Sequence, residues 1–227
     1  MNEYVQNWRI QDVIRKKWEE AQSWELHFWQ CHPRPDTAYE NGVLHQMVRR
    51  FGLDGMPFRH AMCLDIGPGP TGILRGVPAR KWMAIEPLAE EYRNLSWCRF
   101  NHYEKIYAVA GEMMVAELVG AIDAAFCINV LDHVFDPQRL LSNVATYLRP
   151  SGFLLLSFDV HESDIPGHPI GFLCSEREAR TFIERQWLEP YFRIKRHESG
   201  RCYMRRDGTW SPSWGTGIGH HWWLRRK

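Results

Sequence analysis

The sequence predicts an α/β protein with a doubly wound, seven-stranded sheet that is mostly parallel and has an antiparallel last strand. The first observation is a series of short apolar runs separated by helical stretches, and the second is a glycine-rich turn directly after the first run. Apolar runs without polar alternation are typical of strands buried on both faces of a parallel sheet. They lie at residues 61–66, 81–85, 106–110, 122–128 and 153–158.

An N-terminal extension precedes the sheet. Apolar side chains spaced three and four residues apart predict an amphipathic helix over residues 3–30, and the same pattern predicts a shorter helix over residues 40–51. We assign residues 1–58 to a helical extension or lid and residues 59–227 to the ligand-binding domain. The aromatic side chains of the first helix leave three roles open, namely a lid over a pocket, a part of the core and the face of a homodimer.

Helices are also predicted between and after the strands, at residues 87–97, 111–119 and 136–148. Asp136 followed by Pro137 gives the last of these an N-cap and a proline in its first turn. A capping box at residues 175–178 opens a further helix to about residue 186. Strands at residues 191–197 and 220–225 complete the sheet, and residues 199–219 between them form a loop or an irregular hairpin.

Composition excludes several classes of partner. The formal net charge is +1, so no excess of basic residues exists to neutralise a nucleic-acid backbone. The six cysteines form no CxxC pair, and we predict no metal site. No apolar run approaches about 18 residues, and the amino terminus lacks a basic-then-apolar signal region, so we predict a cytoplasmic protein without membrane insertion.

The turn after the first run predicts a ligand-binding loop. Gly67 and Gly69 allow the backbone to turn sharply and approach a ligand, and with Gly72 they spell the GxGxxG pattern of dinucleotide sites. An NAD(P)-dependent oxidoreductase is therefore an alternative. Asp65, two residues before the first glycine, instead favours a ligand with an ammonium group and no phosphate. Only about eight residues separate Gly72 from the next strand, fewer than a dinucleotide-binding helix normally needs.

An acidic side chain follows the second strand. Glu86 lies at the tip of the run 81–85 and is followed by Pro87. A carboxylate at this edge of a doubly wound sheet accepts hydrogen bonds from both hydroxyls of a ribose. The alternative is a solvated glutamate at a strand end.

Ordered segments between residues 61 and 160 resemble the class I S-adenosylmethionine-dependent methyltransferases, in particular their ubiquinone-biosynthesis-like group. Residues 64–69 are similar to motif I, Glu86 to the ribose-binding acid, 110–113 to the adenine-reading segment, 129–137 to motif IV, and 148–156 to the helix–turn–strand that follows. The resemblance implies a Rossmann-like fold, S-adenosylmethionine as cofactor and S-adenosylhomocysteine as product.

The resemblance also implies roles for single residues. Glu112 stands where an aspartate is commoner, and its alternative role is an acidic charge near a helix N-terminus. Thr71 stands where many members have a third glycine. The implied sets are Asp65, Gly67 and Gly69 for the methionine portion, Glu86 and Pro87 for the ribose, Glu112 and Met113 for the adenine, and Asn129 near the sulfonium.

Histidines near the ends of the fourth and fifth strands are candidate general bases. His161 and His168 follow the fifth run and His133 follows the fourth, and each has a structural alternative as a hydrogen-bonding or capping residue. The Asn-Pro-Pro-Tyr form of motif IV, which clamps a base amino group, is absent. With the neutral charge, this predicts methyl transfer to an oxygen or nitrogen of a small molecule or sugar rather than to nucleic acid. A cofactor-binding scaffold without catalysis is the remaining alternative.

Overall fold

The structure is a computed structural model that describes residues 3–33, 58–72, 74, 77–160, 176–200, 203–204, 210–211 and 218–227. The predicted helix over residues 40–51 and the candidate bases His161 and His168 lie outside the described residues. In chain order the elements are α1 (Glu3–Cys31), β1 (Met62–Ile66), β2 (Lys81–Ile85), α2 (Ala89–Tyr92), β3 (Lys105–Tyr107), β4 (Ile122–Ile128), α3 (Pro137–Tyr147), β5 (Leu148–Val160), α4 (Glu176–Phe182), β6 (Phe192–Gly200), β7 (Tyr203–Met204), β8 (Trp210–Ser211) and β9 (Ile218–Arg226).

Seven strands form one sheet in the order β3-β2-β1-β4-β5-β9-β6. Strands β1 to β5 pair in parallel, whereas β9 runs antiparallel to both β5 and β6. The predicted Rossmann-like fold with an antiparallel last strand is therefore confirmed. Because the carboxyl ends of β1, β2 and β4 meet at one edge, the segments that follow them converge there. The pair β7–β8 is a separate short hairpin.

Both faces of the central strands are buried, as their unalternating apolar runs predict. Leu64 and Leu154 face one core, in which Leu140 of α3 packs against the sheet. Cys63 and Phe126 face the second core on the opposite side. Burial on both faces explains why these strands carry no polar alternation.

Helix α3 begins as its sequence predicts. The side chain of Asp136 accepts a hydrogen bond of 3.0 Å from the backbone N–H of Arg139, and Pro137 occupies the first turn. This cap satisfies one of the N–H groups that have no partner within the helix. The helix ends at Tyr147, and β5 follows directly.

Two other helix predictions were wrong in extent. The predicted helix over residues 87–97 is limited to the single turn of α2, and residues 111–119 contain only a 3₁₀ turn at Ala116–Leu118. The hydroxyl of Tyr147 gives the reason for the second case. It accepts from the N–H of Val115 at 2.8 Å and donates to the carbonyl of Met113 at 3.2 Å, so it takes backbone groups that a helix would pair.

The long helix α1 confirms the first helix prediction and packs against the ligand edge of the sheet. Trp18 meets Phe135 edge-to-face with ring centroids 5.3 Å apart, and Trp29 lies 5.9 Å from Trp97. The contacts come from residues near the start of α3 and from the segment between β2 and β3. Within the described ranges, no helix is long and apolar enough to cross a membrane.

Candidate functional site

The glycine turn has a backbone that other residues adopt only with strain. Gly67 and Gly69 have φ values of +63° and +58°, in the left-handed region. A Cβ at Gly67 would also lie 2.5 Å from Cγ2 of Val130, which follows β4. The N–H of Gly67 donates to the carbonyl of Ile85 at 2.8 Å. The turn is thereby fixed against the ends of both β2 and β4.

The carboxylate of Glu86 connects this turn to the end of β2. Its Oε2 accepts from the N–H of Gly69 at 3.1 Å, and its Oε1 accepts from the N–H of Leu88 at 3.0 Å. Burial raises the pKa of Glu86 to about 7; the two N–H donors lower it, and the charge of Glu25 adds to the rise. Glu86 therefore titrates near neutral pH, unlike the solvated glutamate of the alternative interpretation.

Asp65 faces a different partner. The hydroxyl of Tyr103 donates a hydrogen bond of 2.5 Å to Oδ2 of Asp65, and both side chains are buried. Burial raises the pKa of Asp65 to about 7, and the bond from Tyr103 lowers it. Asp65 does not line the cavity described next. Its predicted contact with the methionine portion of a cofactor stays a prediction.

A cavity of about 80 Å³ lies at the carboxyl edge of β1, β2 and β4. It collects residues from segments that are distant in sequence. Met113 does not line it, and its side chain is 54% exposed. The residues predicted from sequence that line it are Gly67, Gly69, Glu86, Pro87, Glu112, Asn129 and His133.

Glu112 has a structural partner that the sequence did not predict. Its Oε1 accepts from the N–H of Phe135 at 2.8 Å and of Asp136 at 3.1 Å. Burial raises the pKa of Glu112, and these bonds lower it. The side chain therefore ties the segment after β3 to the start of α3 while lining the cavity. Its proposed contact with adenine stays a prediction.

The segment after β4 brings polar groups to the same cavity. Asn129 has a φ of +58°, and its N–H donates to the carbonyl of Ser157 at 2.6 Å. His133 closes the 3₁₀ turn Leu131–His133, and its Nε2 lies 3.8 Å from Oδ2 of the buried Asp132. Of the three predicted bases, His133 is the one within the described part of the chain.

Helix α1 contributes aromatic residues, for which a lid over a pocket was one of the open roles, and two polar residues, Gln22 and Glu25, that the sequence analysis missed. Trp18, Gln22 and Glu25 line the cavity, and the Trp29 ring lies 3.7 Å from the position of a Cβ on Gly69. Trp24, another aromatic residue of α1, is 43% exposed and stacks on Phe28 instead. The spacing 18, 22, 25, 29 does place these four residues on one helical face, so a signal was present.

The site fits a nucleoside ligand without a pyrophosphate better than a dinucleotide. The described residues between β1 and β2 form turns and contain no helix whose N-terminus would receive phosphates. The buried carboxylate of Glu86 lines the cavity, and its contact with ribose hydroxyls stays a prediction. Among the described residues, no three His, Cys, Asp or Glu side chains are grouped as metal ligands.

Comparison with known proteins agrees with this chemistry. A family model described as a methyltransferase domain matches residues 38–207. The chain is 28% identical over 123 residues to a ubiquinone biosynthesis O-methyltransferase of Caulobacter vibrioides, covering 51% of this chain and 48% of the relative. A protein of the same name from Chromobacterium violaceum is 39% identical over 99 residues, covering 41% and 42%. The chain thus spans about half the length of the curated relatives it matches.

Solved structures share the fold. A 1,6-didemethyltoxoflavin-N1-methyltransferase from Burkholderia thailandensis, solved with 1,6-didemethyltoxoflavin and S-adenosylhomocysteine, has a TM-score of 0.52 at 14% identity over 100% of this chain and 91% of that chain. The [4+2]-cyclase SpnF has a TM-score of 0.54 at 16% identity over 82% and 80%. At these identities the likeness concerns the fold alone, and the cyclase illustrates that one fold carries different chemistries.

Proposed function

The chain belongs to the class I methyltransferase family that uses S-adenosylmethionine, and we propose that it transfers the methyl group to an oxygen or nitrogen of a small molecule. One observation carries the proposal beyond family membership. Seven of the residues assigned to the site from sequence line a single cavity, although they come from four separate segments of the chain. Such convergence at the carboxyl edge of a doubly wound sheet is typical of a ligand site.

The residues of this cavity have separate tasks in the proposed reaction. When bound, the cofactor supplies a methyl group made electrophilic by its positive sulfur. The Gly67–Gly69 turn exposes backbone to the methionine portion, and Glu86 accepts from the ribose hydroxyls. Asn129 and His133 border the cavity at the end of β4, beside the edge where an acceptor approaches. Holding both reactants in line is the main contribution we assign to the protein.

A small acceptor is supported by the net charge of the chain and by the aromatic packing beside the cavity. The net charge of +1 provides no excess of cations for a nucleic-acid backbone. Trp18 of α1 lines the cavity, and its ring packs edge-to-face against Phe135 just before α3. The names of the curated relatives refer to O-methylation and that of the toxoflavin enzyme to N-methylation, so both acceptor atoms stay in the proposal.

The test combines binding with product analysis. Calorimetry with S-adenosylhomocysteine should give saturable binding, and incubation with S-adenosylmethionine and a panel of phenols, amines and sugars should give a product one methyl group heavier by mass spectrometry. Ribosomal RNA serves as the matched negative substrate. Methylation of RNA with none of the small molecules would reject the acceptor class while leaving the cofactor assignment intact.

The two alternatives make different predictions in the same assay. An oxidoreductase would be stabilised by NAD or NADP and not by S-adenosylhomocysteine, and the turns that follow Gly69 argue against it. A scaffold without catalysis would bind S-adenosylhomocysteine and yield no product with any acceptor of the panel.

A further inference from the structure

Glu25 brings a carboxylate to the cavity from outside the sheet. It lies on α1, in the same helical face as Gln22, and both line the cavity that Glu86 also lines. Its Oε1 accepts a hydrogen bond of 2.6 Å from Nε1 of Trp29. The Trp29 ring lies in turn beside Gly69 of the ligand turn. The carboxylate of Glu25 is therefore held in place over the site rather than free in solvent.

Three carboxylates, those of Glu25, Glu86 and Glu112, line one cavity, and such an arrangement is unfavourable unless a positive charge compensates it. The charge of Glu25 contributes to raising the pKa of Glu86, after burial. The residues that line the described cavity include no lysine or arginine. Partly buried like charges cost free energy that a cationic ligand recovers. The arrangement thus suits a ligand with a positive charge near the ribose.

We propose that Glu25 is a selectivity residue, which makes the site prefer the cationic methyl donor over its product. S-adenosylmethionine carries a positive sulfonium that S-adenosylhomocysteine lacks, because transfer of the methyl group leaves a neutral thioether. A fixed negative charge on α1 attracts the donor and gives the product no equivalent gain. Loss of this attraction after transfer favours release of the product. The inference rests on the proposed function only through its cofactor, and it holds for any acceptor.

Calorimetry on the full chain tests the charge preference without any acceptor. The probes are S-adenosylhomocysteine and sinefungin, a stable analogue in which a protonated amine replaces the positive methyl-sulfur group. Glu25→Gln keeps the shape and the bond from Trp29 but removes the charge. We expect it to weaken sinefungin binding roughly tenfold and to change S-adenosylhomocysteine binding less than about twofold.

Three matched measurements make the result specific. Glu20→Gln removes the same charge from an exposed position of α1 and should leave both affinities unchanged. Glu25→Asp keeps the charge and should retain most of the preference. Unfolding by urea verifies that each variant is folded. Equal weakening of both probes in Glu25→Gln would overturn the selectivity role, whereas failure of the unaltered chain to bind either probe would overturn the cofactor assignment itself.

Discussion

The hydroxyl of Tyr103 donates to Oδ2 of Asp65 at 2.5 Å, and this pair lies behind the glycine turn rather than inside the cavity. A Cβ on Gly72 would lie 2.9 Å from the same hydroxyl, so the turn packs directly against the pair. The carboxylate of Asp65 therefore supports the turn from behind. This relationship makes Tyr103 a structural determinant of the ligand edge.

Tyr103→Phe should destabilise the protein by about 1–3 kcal/mol, since it removes a donor from a buried carboxylate. The cost depends on pH with a definite sign. Burial raises the pKa of Asp65 to about 7, so the folded chain holds this proton more tightly than the unfolded chain does. The stability that the bound proton provides is lost as the pH rises through about 7. Without the hydroxyl of Tyr103, the ionised carboxylate of Asp65 loses its donor and destabilises the folded chain further. Urea unfolding should therefore show a larger loss at pH 8 than at pH 5.5.

Tyr107→Phe is the control for this prediction. The hydroxyl of Tyr107 donates to the exposed Glu117 at 3.1 Å, and a bond at the surface contributes little to stability. We expect a change below about 0.5 kcal/mol at either pH. Equal losses of stability in the two tyrosine variants would show that the buried hydrogen bond contributes no more to stability than the one at the surface.

The sequence predicted those features that depend on local pattern. The runs that form β1, β2 and β4, the glycine turn and the cap of α3 each follow from neighbouring residues. Features that depend on distant partners were not predictable in this way. Tyr103 and Asp65 are 38 positions apart, and the hydrogen bond that the N–H of Val115 donates to Tyr147 after β3 spans 32 positions. A pattern within one segment carries no information on such pairs.

The residues of the site likewise differ in whether a local pattern or a distant partner determines their position. Glu86 was assigned to the site because a carboxylate at a strand end often binds ribose in these sheets, and the structure places it in the lining of the cavity. The placement of Glu112 on the N–H groups of Phe135 and Asp136 depends on how two loops meet, which no local pattern encodes. Gln22 and Glu25 interrupt an apolar stripe, and polar residues in such positions are easily read as helix surface.

Binding of S-adenosylhomocysteine should tighten as pH rises from 6 to 8. The pKa of Glu86 is about 7 in the free protein, and its ionised form is the better acceptor for ribose hydroxyls. Most of this group is protonated at pH 6 and ionised at pH 8, so the affinity should rise roughly tenfold. Calorimetry across this range measures it directly.

Glu86→Gln should bind at least about tenfold more weakly at pH 8 and lose most of the pH dependence. Asp65 titrates in the same range, so Asp65→Asn is measured beside it. A slope that persists in Glu86→Gln and disappears in Asp65→Asn would assign the titration to Asp65 instead.

Alanine at the two glycines of the turn should have unequal costs. Both positions have positive φ, which costs an alanine about 1–2 kcal/mol. At Gly67 the new Cβ would in addition meet Val130 at 2.5 Å, whereas at Gly69 the nearest atom is 3.7 Å away on Trp29. We expect Gly67→Ala to cost about 3 kcal/mol or more and Gly69→Ala about 1–2 kcal/mol in urea unfolding.

Val130→Ala combined with Gly67→Ala isolates the steric part. Val130→Ala removes the methyl groups that the new Cβ at position 67 would contact. The double variant should therefore lose less stability than the sum of the losses in the single variants. Strict additivity would mean that backbone strain alone accounts for the cost at Gly67.

The last prediction separates His161 from His133 by the kinetic constant that each affects. His133 lines the cavity proposed for the cofactor, so His133→Ala should weaken S-adenosylhomocysteine binding severalfold and lower kcat only modestly. His161 follows β5 in the sequence, β5 pairs with β4, and His161 is the sequence candidate for the base. With a hydroxyl acceptor, His161→Ala should lower kcat roughly 100-fold with little change in S-adenosylhomocysteine affinity.

Calorimetry and steady-state kinetics on both variants give the two constants, and His168→Ala serves as a third member of the series. A large loss of kcat in His133→Ala with normal turnover in His161→Ala would move the base to the end of β4. Normal turnover in all three variants would indicate an acceptor that is already nucleophilic, such as a neutral amine, because such an atom attacks the methyl group without prior loss of a proton.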